Sequence, residues 1–317
     1  MADDSKRRVE DMSTERDGFD HPEPYDKQFL FDVALPADRE VDFGAWHVLL
    51  REKDHSYRVW YRESGAEITE PFVGVTSFAE SMFPQFDADG VLSRMRQKTR
   101  TVKYKGLSNS QIKQKWKAIG DTAACLGTQM HSVMEVLLSR PGPYQRNFHV
   151  PRPRICAHGF HTGVDGVVAE DAHVHALLEE MERRCLVPIA LEQCVYIPQL
   201  RMTGTIDAIF RNSGTGRLEI WDWKRRPEFT TGNNFDEYGL PETAAAGMPK
   251  CHLSSAAIQL HLYREAWRRE MGEAAAELHI VSIHPSLPTF IDHPIPIDEA
   301  LTTRLVEMRS RQITSSL

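Results

Sequence analysis

No stretch of the 317-residue chain stays apolar for more than a few residues, far short of the roughly 20 needed to cross a bilayer as a helix. The N-terminus, MADDSKRRVEDMSTERD, lacks the apolar core of a secretory signal and is too rich in acids for a transit peptide. The chain is therefore expected to be soluble and intracellular, in cytoplasm or nucleus. Cysteine is also sparse. Cys125, Cys156, Cys185, Cys194 and Cys251 are odd in number and form no CxxC pair, which argues against a disulfide framework or a four-cysteine metal site and leaves them as reduced core thiols.

The most informative absence is local. Residues 90–120 contain no Asp or Glu, while carrying Arg94, Arg96, Lys98, Arg100, Lys103, Lys105, Lys113, Lys115 and Lys117. That window sums to +9 and the rest of the chain to −16, so the net charge of −7 conceals a strongly basic segment suited to phosphate contact. Tyr104 and Trp116 within it are candidates for base stacking, against the alternative that they belong to the core.

What remains is enough for a substantial core: 41% of residues are hydrophobic and 26% charged. Residues 1–40, rich in charge, Asp and Pro, read as disordered. Residues 45–68 read as a hairpin turning at Lys53, Asp54 and His55. Ser77 to Glu80 fits a capping box opening a helix that Pro84 interrupts. Asp87 starts a second helix, Ser108 or Ser110 caps a third over residues 111–119, and a fourth spans 123–138. Four prolines make 141–153 a loop, and 171–185 is an amphipathic helix. Three strands follow at 191–197, 202–211 and 217–224. After a polar loop over 227–250 come a helix at 254–269, a strand at 277–284 and a helix at 296–311. Helices before and after a hairpin sheet predict an α/β layer architecture.

Chemistry concentrates on the last two of those three strands. Simple alternation places Asp207 on one face with Thr203, Thr205 and Ile209, and Asp222 and Lys224 on one face with Leu218 and Ile220. Two carboxylates and a lysine can then converge, giving hard oxygen ligands for a divalent metal and a cation beside them. The apolar Ile220 and Trp221 before Asp222 mark a buried strand, where an unpaired charge is costly. Elsewhere, His131 and Glu135 lie one helical turn apart, as do Gln259 and Tyr263. Cys156, His158 and His161 have loosely metal-like spacing with no second ligand pair nearby, which favours ordinary loop chemistry. His173 and His175, two apart on a helix, cannot face one ligand.

Taken in order, GTxxHxxxE (Gly127 to Glu135), Glu192 opening a strand, GxxD (Gly204 to Asp207), DxK (Asp222 to Lys224) and QxxxY (Gln259 to Tyr263) resemble the RecB-like branch of the PD-(D/E)XK nucleases. That branch includes the RecB and AddB nuclease domains and the mitochondrial genome maintenance exonuclease. Val75-Thr76-Ser77 and Phe83 to Asp87 resemble, less specifically, a leader region of RecB-like proteins from large DNA viruses and protists.

The resemblance implies a restriction-endonuclease-like core, a mixed β-sheet flanked by helices, preceded by an N-terminal hairpin and a basic helical region. The expected division is a tail over 1–40, a DNA-binding region over 41–120 and a nuclease core over 121–317. The resemblance implies that His131, Asp207, Asp222 and the backbone carbonyl of Trp223 ligate one or two Mg²⁺ or Mn²⁺ ions, with Lys224 positioning the attacking water. Glu135 and Glu192 would support or replace those ligands, and Gln259 and Tyr263 would shape the site. Some members carry an iron–sulfur cluster whose last three cysteines follow QxxxY. No Cys follows Tyr263 here, so no cluster is expected. The implied activity is exonucleolytic hydrolysis of single-stranded DNA from its ends, in replication, repair or recombination. The alternatives are a structure-specific endonuclease or nickase, or a nucleic-acid-binding protein that no longer cuts.

Overall fold

The computed structural model describes residues 38–97, 104–139, 169–227, 229 and 237–315. The expectations for residues 1–37 and 141–153, and for Cys156, His158 and His161, lie outside them.

Three short strands, β1 (Arg39–Phe43), β2 (Trp46–Arg51) and β3 (Ser56–Tyr61), form an antiparallel sheet of their own. The expected hairpin is β2 and β3. β1 falls partly in the segment read as disordered, because its alternation is short and mostly polar. The main sheet is mixed, as expected for this fold class. β5 (Leu186–Ile197) runs antiparallel to β6 (Met202–Asn212), which runs antiparallel to β7 (Leu218–Lys224). β8 (Glu277–Ser282) adds parallel to β7, and β9 (Ile291–Pro294) closes the edge antiparallel to β8. The two-residue β4 (Val73–Gly74) lies parallel to the start of β6.

Helices cover both faces. On one side, α1 (Val75–Ser81), α5 (His252–Met271) and α6 (Glu299–Ser315) bury Phe78, Leu260, Tyr263 and Leu305 with Met202, Ile206, Ile209, Leu218 and Ile220. On the other, α3 (Asn109–Leu138) and α4 (Ala169–Arg183) bury Met134, Leu138, Leu177 and Met181 against Ala208, Phe210, Trp221 and Trp223. Strand β7, sandwiched between them, has only Lys224 less than fully buried, as central strands covered on both faces do. The small sheet packs Val48, Leu50 and Val59 over Cys194 and Tyr196 of β5. Of the described cysteines, Cys194 is buried and Cys185 exposed, so the expectation of core thiols fails at the position where the chain turns from α4 into β5.

Two helix boundaries differ from expectation. α1 begins at Val75 behind Gly74, with no side-chain cap, so Ser77 sits inside the helix; the parallel bridge of β4 to β6 delivers the chain into helical geometry two residues early. The segments read as separate helices over 111–119 and 123–138 are one 30-residue helix. Ser108 and Gln111 close a full capping box at its start, and Gly120 is absorbed, since a helix-interior glycine costs only about 1 kcal/mol. Asp87 does cap α2 (Ala88–Gln97), accepting from the Gly90 N–H at 2.9 Å.

Candidate active site

The site lies where the main sheet forks. β6 pairs with β5 from end to end except at the row of Glu192 and Asp207, while its other edge meets β4 only at Met202 and Thr203 and β7 only from Ala208 to Arg211. Between these contacts β7 leaves β6, and Asp207 stands in the opening. Its Oδ2 accepts the Trp223 N–H at 2.8 Å, replacing the ladder bond that the fork forfeits. Extending the register by one residue sets Asp207 opposite Asp222 on β7, and the β5–β6 register sets it opposite Glu192. Three carboxylates therefore occupy one row of the sheet.

Alternation does not survive this row. Met202 and Ile206 face α5, yet so does Ile209, while Ala208 faces α3 and α4. Thr205 turns to the small sheet, its Oγ1 2.9 Å from Tyr57 Oη. The expected shared face of Thr203, Thr205, Asp207 and Ile209 is thus broken at Asp207. The partner strand is irregular at the same place: the register slips between Pro188 and Ala190, and Glu192 has a φ of +44°. A non-glycine residue held there stores of order 1–3 kcal/mol and persists only where its surroundings over-determine it.

Helix α3 brings in His131. Its Nδ1 is 3.1 Å from Glu192 Oε1 and 3.6 Å from Asp207 Oδ2. Each of His131, Glu192 and Asp207 offers a donor atom within 4.8 Å of the others. Lys224 Nζ is 2.9 Å from Asp222 Oδ1 and 2.7 Å from Oδ2. Burial pushes the Asp222 carboxyl up to about 6 although Lys224 opposes it, and burial likewise raises Asp207 against the pull of His131. Burial works to lower His131, but Asp207 and then Glu192 outweigh it and hold the imidazole up at about 9. Lys224 stays charged because Asp222 and Asp207 overcome its desolvation. Packed carboxylates of this kind need a cation, and a donor set of two or three carboxylates with one imidazole fits a divalent metal bound largely through oxygen.

The remaining expected residues divide. Gln259 Nε2 donates to Tyr263 Oη at 3.0 Å and lies 3.4 Å from Thr76 Oγ1 of α1. The Tyr263 ring covers Gly204: a Cβ there would come within 2.7 Å of it, so the glycine of GxxD is a steric requirement of the tyrosine of QxxxY. Burial raises the Tyr263 phenol well above its usual range, keeping it a neutral donor. Trp223 meets Asp207 through its N–H. Glu135 is held by Arg39 of β1, with Nη2 2.8 Å from Oε2, and Arg39 also donates through Nε to Glu52 at 2.9 Å. Arg39 and Tyr57 carry no signal in the sequence, since they meet Glu135 and Thr205 across 96 and 148 residues. Thr76, part of the Val75-Thr76-Ser77 match, reaches Gln259 across 183.

Among the basic residues, Lys113 pairs with Asp89 at 2.7 Å and Lys117 with Asp121 at 2.8 Å. Arg94, Lys105 and Lys115 are exposed. Arg96 lies on α2, and Lys98, Arg100 and Lys103 lie outside the described residues. His173 is buried and His175 partly so, on α4. A second group of possible metal donors, Glu219, Glu277 and His279, already holds a cation of the chain's own. Arg184 Nη2 lies 2.9 Å from Glu219 and 3.1 Å from Glu277.

A mixed sheet layered between helices, with a carboxylate row, a histidine and a lysine at its fork, is an arrangement that could hold a divalent metal. The PD-(D/E)XK nuclease superfamily profile matches residues 110–314, and the chain belongs to that superfamily. Nucleases of this superfamily act on nucleic acid and generally use divalent metal ions, and membership supports a nuclease here. No curated protein matches the chain. Among solved structures, a candidate exonuclease from Eubacterium rectale is 14% identical over 63% of this chain and 70% of that one, with a TM-score of 0.33. The protein SSO0001 is 21% identical over 44% of this chain, with a TM-score of 0.22, and the match spans 56% of SSO0001.

Proposed function

We propose that the protein is a RecB-like deoxyribonuclease that removes nucleotides from single-stranded DNA ends, with Mg²⁺ or Mn²⁺ held by His131, Glu192, Asp207 and Asp222. The observation that carries this reading is the buried carboxylate row beside His131 and Lys224, together with the motif order from Gly127 to Tyr263. When bound there, the metal would polarise the scissile phosphate and acidify a coordinated water.

The chain's own groups do the rest. Lys224, paired with Asp222 and partly exposed, holds a fixed positive charge beside the attacking water and stabilises charge developing on the phosphate oxygens. Asp207 is oriented by the Trp223 N–H, so its carboxylate needs no rearrangement before reaction. Tyr263, held by Gln259, presents a neutral hydroxyl near the carboxylates. Glu135, engaged by Arg39, buttresses α3 and hence His131, a positioning role. The exposed Arg94, Lys105 and Lys115 support a strand-binding role for residues 41–120 beside a core over 121–317, with α3 running unbroken across that division.

The test is digestion of end-labelled linear and circular single-stranded DNA, duplex DNA and RNA, with Mg²⁺, Mn²⁺ or EDTA. Release of mononucleotides or short fragments from linear single strands alone, lost in EDTA and in Lys224→Ala, is expected. Cleavage of the circle would identify an endonuclease instead, and unchanged digestion by Lys224→Ala would overturn the assignment of the site.

A further inference from the structure

Three aromatic side chains outside the carboxylate row form a separate group. Phe86, in the link between α1 and α2, is 66% exposed. Its ring meets that of Trp116 edge-on at 5.8 Å, and Tyr104 meets Trp116 at 6.1 Å and 88°. The Trp116 indole N–H is satisfied by Tyr104 Oη at 2.9 Å, which fixes the geometry of that pair. One exposed phenylalanine is ordinary on a protein surface. Here it extends a locked aromatic pair inside the stretch of chain that has no acidic residue, with exposed Lys105 and Lys115 close by in sequence. Aromatic faces beside lysines match the two parts of a single nucleic-acid strand, stackable bases and a charged backbone.

The position of the trio adds a length. Trp116 and His131 are fifteen residues apart on the unbroken α3, which places them about 22 Å apart along the axis and about 60° apart around it. At the stacked spacing of about 3.4 Å per nucleotide, that distance is about six nucleotides. We infer that Phe86, Tyr104 and Trp116 are a base-stacking platform that grips a single nucleic-acid strand about six nucleotides from the phosphate cut at the carboxylate row, with α3 as the rigid spacer.

The inference rests on the nuclease reading for the cut site, but its test is binding. Oligodeoxythymidylates of 4 to 20 nucleotides would be titrated by fluorescence anisotropy in EDTA, with wild-type protein, Phe86→Ala, Trp116→Ala and Trp116→Phe. Wild type should gain affinity in a step as length passes about six to eight nucleotides. Phe86→Ala and Trp116→Ala should lose about tenfold on the 20-mer, within what one stacked base contributes, and show no step, while Trp116→Phe keeps it. Because Phe86 is so exposed, its variant should melt at the wild-type temperature. The inference is overturned if Phe86→Ala keeps the wild-type length dependence, if it weakens the shortest and longest oligonucleotides equally, or if wild type binds none of them. A wild-type protein that shows the binding step but cleaves nothing in Mg²⁺ or Mn²⁺ would sink the nuclease reading and leave the platform standing.

Discussion

At the scale of single residues, the site is a set of charges that burial makes uncomfortable. Asp222 is 2% exposed, and its carboxyl is raised to about 6 by desolvation, against Lys224. A folded-state value above the unfolded value of about 3.9 means that the group favours folding only below about pH 4, and that this contribution is lost as pH rises through about 6. Asp222→Asn should therefore stabilise the metal-free protein at pH 7–8 by up to about 3 kcal/mol, reduced by whatever Lys224 loses with its partner. Urea melts in EDTA at pH 4 and pH 8 check this: the gain should appear at pH 8 and vanish at pH 4. His131, held at about 9, carries a proton at neutral pH that a metal must displace. Binding of Mn²⁺ should release protons at pH 7 and tighten as pH rises toward 9. Calorimetry in buffers of different ionisation enthalpy would show identical heats if no proton is released.

At the scale of elements, contacts between motifs explain why certain small or distant residues are present. Gly204 on β6 lets Tyr263 of α5 lie against the strand, with 2.7 Å to a hypothetical Cβ. Gly204→Ala should destabilise the fold by about 1–3 kcal/mol, as overpacking does, and lower activity by displacing Tyr263. Thermal melting and rate should then fall together, and a variant with normal melting and normal rate would contradict the contact. Arg39 ties β1 to α3 through Glu135. Both side chains are partly exposed, 17% and 29%, so Arg39→Ala should cost about 1–2 kcal/mol rather than the larger penalty of a buried orphan charge. Its effect on metal affinity should exceed that of Arg58→Ala, which breaks an exposed pair with Glu67 on the same small sheet. Equal effects would remove Arg39 from the site.

At the scale of the whole molecule, charge is segregated. A chain of net −7 carries a +9 window; with that window as the strand contact proposed above, affinity for single-stranded DNA should fall steeply between 50 mM and 200 mM salt. Lys115→Ala should lower the slope of log affinity against log salt by about 1; an unchanged slope would take Lys115 out of the contact. The layering was legible beforehand: the periodicities of α4, α5 and α6, the three central strands and the apolar run of β7 all arise from local rules. β1, β4 and β9 were not legible, because strands of two to five residues exist only through the partners they pair with.

The order of chemical groups, from His131 through Glu192, Asp207, Asp222 and Lys224 to Gln259 and Tyr263, was determined by sequence alone, since residue type and spacing carry it. So was the basic window, which is pure composition. Only the tertiary structure decided how those groups meet. Alternation assumes uniform extended backbone, and the left-handed Glu192, the register slip in β5 and the fork between β6 and β7 break that assumption at the carboxylate row. Glu135 stands one turn from His131 on paper, yet goes to Arg39, because helical spacing fixes a side chain's direction and not the partner that waits there.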